Sequence, residues 1–181
     1  MARTLSTAAD RRETVLGTAI GAFAAKGYFG TTTVEVAKAA GISQAYLYRL
    51  FPDKQTLFAA VVGRGFQRIL DSFRDGATGD SPEAILYSMG GSYAQLIADQ
   101  DLLLLQMHAQ CAAVSVPEIK RAVREGYATL VEYARTASGA DDDAVQEFFA
   151  NGALCSIVVT MDSAEVDAPW ARVLDNGLRH P

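Results

Sequence analysis

Apolar residues recur along this chain at helical spacing, and no stretch alternates with period two for long enough to suggest a sheet. Val15, Leu16, Ala19, Ile20 and Phe23 form one stripe between Asp10 and Gly27, which predicts a first helix over 10–26 ended by the glycine. Thr32 and Glu35 have the T-x-x-E spacing of a capping box, in which each side chain serves the other residue's amide. This box opens a second helix over 33–40, closed by Gly41. Ser43 caps a third helix over 44–50. Pro52 prevents its continuation, because the ring clashes with a preceding carbonyl and lacks an N–H. Asp53 caps a fourth helix from Lys54 to near Gly76, carrying Leu57, Phe58, Val61, Val62, Phe66, Ile69, Leu70 and Phe73.

Downstream the punctuation is similar. Ser81-Pro82-Glu83 starts a fifth helix, with proline at the tolerated first position, and it reaches about Ala98. A sixth helix covers 102–113. Ser115 and Glu118 repeat the capping-box spacing and open a seventh, which ends before Ser138-Gly139. Asp141 to Asp143 suit the positive end of an eighth helix running to Met161, and a short last helix follows Pro169. The expected fold is all-α, with nine or so helices.

Two short helices joined at Gly41 have a specific use. Glycine tolerates the left-handed backbone of a sharp turn. Val36, Ala37, Ala40, Ile42, Leu47 and Phe51 can close a small core, and the two alanines let the helices approach closely. Gln44, Ala45, Tyr46, Tyr48 and Arg49 are then left outside. Aromatic and amide groups crowded on the outside of a seven-residue helix suit one laid in the major groove.

Charge first argues against this, then for it. The 181 residues carry a net charge of -5. Up to Lys54, however, seven basic residues face four acidic ones, a balance of +3 that leaves -8 for the remainder. A basic head on an acidic body grips phosphate in one orientation.

The run Thr31-Thr32-Thr33-Val34-Glu35-Val36-Ala37-Lys38-Ala39-Ala40-Gly41-Ile42-Ser43-Gln44-Ala45-Tyr46-Leu47-Tyr48-Arg49-Leu50-Phe51-Pro52-Asp53-Lys54 resembles the N-terminal signature of TetR-family regulators. A threonine precedes the second helix, an A-G-[VI]-S turn and L-Y-x-x-F follow, and a lysine opens the fourth helix. The likeness covers about the first third of the chain, and beyond it only the helical plan is similar.

The resemblance implies a helix-turn-helix head over 9–69, with its motif at 32–51, and a ligand-binding and dimerisation body over 70–181. It places Thr32 and Thr33 where the start of a helix can hold a phosphate. It turns Ser43, Gln44, Ala45, Tyr46 and Arg49 to the major groove, and gives the Tyr48 hydroxyl and the Lys54 ammonium to the DNA backbone. Gln44 can pair with adenine, Arg49 with guanine or with phosphate, and Ala45 allows close approach or touches a thymine methyl. The last two long helices are implied to build a two-fold dimer through Phe148, Phe149, Gly152, Ile157 and Met161. The alternative is that the eighth helix, apolar around most of its circumference, is the centre of a monomeric bundle.

In the body, polar groups fall within apolar helices, as they do around a pocket. Candidate pocket residues are Phe66, Met89, Tyr93, Leu96, Gln106, Met107, Gln110, Cys111 and Tyr127, several of which also suit ordinary core. The expected function is a ligand-responsive regulator, a repressor released from a palindromic operator. Its partners are double-stranded DNA, a small-molecule effector and a second copy of the chain.

Other classes find little support. No G-x-S-x-G, P-loop or H-E-x-x-H is present, so no enzyme is expected. His108 and Cys111 are three apart but lack further ligands, His180 stands at the end of the chain, and neither metal nor cofactor is expected. The two cysteines, Cys111 and Cys155, are expected to be reduced and buried. The first residues contain no long apolar run and no segment offers the roughly 20 needed to span a bilayer, so a soluble bacterial cytoplasmic protein is expected, at the nucleoid when bound to its operator.

Overall fold

A computed structural model describes residues 8–178, and His180 lies outside that range. Helices form wherever caps and apolar spacing agree. They are α1 (Ala8–Gly30), α2 (Thr33–Ala39), α3 (Gln44–Leu50), α4 (Lys54–Gly76), α5 (Pro82–Ile97), α6 (Gln100–Ala113), α7 (Pro117–Ser138), α8 (Asp142–Thr160) and α9 (Pro169–Asp175). A 3-10 turn, Ser163–Glu165, precedes α9. Among the described residues the fold is all-α, with no strand.

The caps are the local cause. The Thr32–Glu35 capping box is present in both directions. Ser43 accepts from the Tyr46 amide, Asp53 from Thr56, Ser81 from Ala84 and Asp141 from Ala144. Helix α6 begins two residues earlier than its apolar pattern, because Asp99 turns the chain: its carbonyl accepts from Leu102 and its carboxylate from the Asp101 amide. The expected second capping box does not open α7. Val116 holds the place before Pro117, and the Ser115 amide is spent on the Ala112 carbonyl in the turn that ends α6. Glu118 faces the Thr56 hydroxyl and Arg121 instead.

The chain divides into two compact units, one running through Gly65 with Leu104–Glu125, the other comprising Phe66–Leu103 and the chain from Gly126 on. Helices α4, α6 and α7 contribute a segment to each. In the first unit Val15, Ala19, Phe23, Val36, Leu47, Phe51, Phe58 and Val61 are buried, with Phe23 edge-on to Phe58 at 4.7 Å. Burying each valine, leucine or phenylalanine among them stabilises by about 1.5–3 kcal/mol. In the second unit Ile69, Leu70, Phe73, Leu86, Met89, Leu130 and Ala134 form one core, and Ala94, Ile97, Leu103 and Cys155 another. Burial pushes the Cys155 thiol above its usual range. Cys111, expected inside, is exposed on α6. Among the described residues no helix is long and apolar enough to cross a membrane.

Candidate nucleic-acid interface

The turn between α2 and α3 owes its shape to Gly41, whose φ of 64° is left-handed. Its amide bonds the Lys38 carbonyl and that of Ile42 bonds Ala37, a Schellman closure that satisfies the open carbonyls of α2. Val36, Ala37, Leu47 and Phe51 are buried beneath the turn, while Ala40 and Ile42 are half-buried.

That packing turns one face of α3 outward. Ser43, Gln44, Ala45, Tyr48 and Arg49 are exposed and Tyr46 is half-buried. The Arg49 guanidinium stands 5.8 Å from the centre of the Tyr46 ring, so the two side chains extend together. Tyr48 is 45% exposed, with its hydroxyl 3.1 Å from Thr33 Oγ1. The Gln44 amide also donates to Thr33 Oγ1, at 2.9 Å. Thr33, the first residue of α2, is itself buried. Thr32 is exposed and engaged in its cap.

Two further ties hold this region. Lys26 pairs with Glu35, and this bond, together with those from the Thr32 amide and hydroxyl, lowers the Glu35 carboxyl to about 2. Lys54 lies over the Tyr28 ring at 4.7 Å, where burial lowers its pKa and Glu35 opposes the shift. Burial, then Asp53 and Glu118, raises the Tyr28 phenol.

Arg12 was not singled out by its sequence, because one of two adjacent arginines near the start of a helix carries no pattern. Its guanidinium donates to the Leu50 carbonyl at 2.7 Å and covers the Phe51 ring at 4.1 Å. It thereby caps the C-terminal end of α3, where a cation also suits the helix dipole.

His108 is equally unexpected in its role. Helix α1 is interrupted at Gly27, with φ 67° and ψ -177°. The His108 ring occupies the notch, and its Nε2 must donate to the Ala24 carbonyl, 3.2 Å away, since a carbonyl only accepts.

The candidate pocket residues fall in both units. Phe66, Met89, Tyr93, Leu96 and Tyr127 lie in the second. The Phe66 ring sits against Gly126 and edge-on to Tyr127 at 5.3 Å, and Met89 is fully buried. The Tyr93 hydroxyl is 2.9 Å from that of Ser156, and Leu96 packs on the same core. Phe148 and Phe149 join this aromatic cluster, with Phe148 5.3 Å from Phe73 and Phe149 6.4 Å from Tyr127. Gln106, Met107, Gln110 and Cys111 belong to the first unit, the first two half-buried and the last two exposed.

On α8, Gly152 is half-buried and Ile157 is 45% exposed; Met161, expected to end the helix, is its C-cap and is 44% exposed, and on α9 Trp170 and Val173 are exposed. Within one chain α8 is thus covered along Val145, Cys155 and Val158 but not all round.

Residues 15–61 match the sequence model of the bacterial regulatory proteins of the tetR family. A search of curated protein sequences gives no match. Among solved structures, the fatty acid degradation regulator FadR from Bacillus halodurans is similar, with TM-score 0.67 and 21% identity over 94% of this chain and 97% of that one. A putative TetR-family regulator from Rhodococcus sp. has TM-score 0.70 and 22% identity, covering 91% and 94%. A putative transcriptional regulator from Saccharomonospora viridis, solved in complex with choline, has TM-score 0.70 and 16% identity, covering 92% of each chain.

Proposed function

We propose that the chain, whose residues 15–61 match the model of the tetR family of bacterial regulatory proteins, is a member of that family and a ligand-responsive, sequence-specific repressor which a small molecule releases from a palindromic operator. The exposed face of α3 carries this reading: Gln44, Ala45, Tyr48 and Arg49 stand outward on a helix whose other side is buried. Gln44 and Arg49 supply hydrogen-bonding ends for base edges, Ala45 lets the helix sit deep, and Tyr46 supports Arg49. Tyr48 and Lys54 serve the backbone phosphates, as does the amide of Thr33 at the start of α2, whereas the Thr32 amide is held by Glu35.

Two copies pair through the last two long helices, with Ile157 exposed on α8 and Met161 exposed at its C-terminal cap, Gly152 allowing close approach and Phe148 and Phe149 at the edge. The paired recognition helices then read half-sites about 34–36 Å apart. The effector binds in the second unit against the cluster of Phe66, Tyr93, Tyr127 and Phe149; the choline complex of one structural neighbour supports a small-molecule effector. Because α4 belongs to both units, an effector that favours one tilt of α4 changes the spacing of the recognition helices. The protein acts in the bacterial cytoplasm as a regulator rather than an enzyme.

Selection of bound duplexes from a random library, followed by sequencing, tests this function. An enriched palindrome is the expected result. Its absence, with and without candidate effectors, would overturn the reading.

A further inference from the structure

We propose that Thr33 is the positioning residue of the DNA-reading face, its hydroxyl fixing the Gln44 amide and the Tyr48 hydroxyl before DNA arrives. The inference rests on the function proposed above and adds a residue that sets specificity without touching a base. The three side chains meet at one atom: Gln44 Nε2 at 2.9 Å and Tyr48 Oη at 3.1 Å from Thr33 Oγ1. Gln44 and Tyr48 are one turn apart on α3, so they share a face. Thr33 lies on α2 and is only 9% exposed, while both its partners are exposed. One buried hydroxyl therefore joins the two helices of the motif on the side that would meet DNA.

The direction of the chain follows from chemistry. An amide nitrogen only donates, so Thr33 Oγ1 accepts from Gln44. The single hydrogen of Thr33 is then available to Tyr48 Oη, which leaves the tyrosine's own hydrogen to point outward. A phosphate oxygen there accepts that hydrogen. The opposite direction would turn only tyrosine lone pairs toward an anion. An approaching phosphate thus selects the order Gln44 to Thr33 to Tyr48 to phosphate, and each bond in such a series polarises the next. Pre-placement also reduces the rotamer entropy that a long glutamine loses when it docks.

The test uses the full chain and the duplex enriched from a random library. Affinity is measured for the wild type, T33V, T33S and Y48F on that duplex and on every single-base variant of it. T33V keeps the branched shape and removes the hydroxyl. It is expected to bind about ten-fold more weakly, as loss of one such hydrogen bond implies. It should also flatten base preference at the position where Gln44→Ala does so, and at no other. Thr33→Ser should restore both. T33V combined with Y48F should be weakened less than the product of the two single effects, with thermal melting unchanged. If T33V binds the duplex with wild-type affinity and preference, the inference is overturned. Uniform weakening across all bases, additive with Y48F and unrelieved by serine, overturns it too. Should T33V melt early, a cycle between Gln44→Ala and Tyr48→Phe reads the same node from its exposed arms, where coupling supports the inference and additivity overturns it. If the wild type enriches no duplex, the DNA-binding reading fails and this role falls with it, an outcome distinct from a normal operator that ignores T33V.

Discussion

At Gly27 the backbone takes φ 67° and ψ -177°, a combination that side chains other than hydrogen rarely allow. A methyl there would also meet His108 Nδ1 at 2.6 Å. Gly27→Ala is therefore expected to destabilise the fold by at least about 2 kcal/mol, read as an early melt. Adding His108→Ala should recover only part of this, since it relieves the clash but not the backbone. Glu35 gives a residue-scale prediction in pH. Its carboxyl, lowered from the ordinary 4.5 to about 2 by Lys26 and Thr32, stabilises the folded state fully above the ordinary value. That contribution is lost as pH falls from 4.5 toward 2. Thermal melts across this window should show Glu35→Gln less stable than wild type near neutrality, with a shallower decline in acid. Parallel declines for the two proteins would reject the assignment.

At the scale of an element, the short α3 is held from both ends: Ser43 caps its start and Arg12 its last carbonyl. A seven-residue helix is unstable alone, so these ties and the buried Leu47 maintain it. Arg12→Ala should cost about 1–2 kcal/mol of stability, from a charge-assisted hydrogen bond and a cation–π contact. It should also weaken operator binding without changing which bases are preferred. Equal affinity in the variant would show that Arg12 does not brace the recognition helix. Helix α8 offers a different test. Under the proposed pairing, Ile157→Glu places a carboxylate on an apolar face that a second copy covers. Sedimentation is expected to show a dimer for the wild type and a monomer for the variant at micromolar concentration. A wild-type monomer would remove the pairing.

Over the whole molecule, the charge divides between a basic stretch up to Lys54 and an acidic remainder. Operator binding should weaken steeply with salt, because each cation placed on a phosphate releases counterions. Lys54→Ala is expected to reduce the slope of log affinity against log salt by about one unit and leave base preference intact. An unchanged slope would mean that Lys54 stays on the Tyr28 ring in the complex, as it lies in the isolated chain.

Local rules alone determined most of the helix plan, because a cap, a glycine or a proline acts within four or five residues. The Thr32–Glu35 box, the Gly41 turn, Ser43, Pro52 and the start of α4 at Lys54 were all legible in this way, as was the outward face of α3. Where two local signals competed, neighbours decided: the Ser115 amide was already committed to α6, so its capping box went unused. Only tertiary structure could show that Thr33 joins Gln44 to Tyr48, that Arg12 caps α3 from 38 positions away, or that His108 fills the break at Gly27 from 84 residues beyond its acceptor, Ala24. Periodicity says which face of a helix is apolar, but not which polar atom of a distant helix will meet it. That depends on how the packed helices bring buried donors and acceptors together.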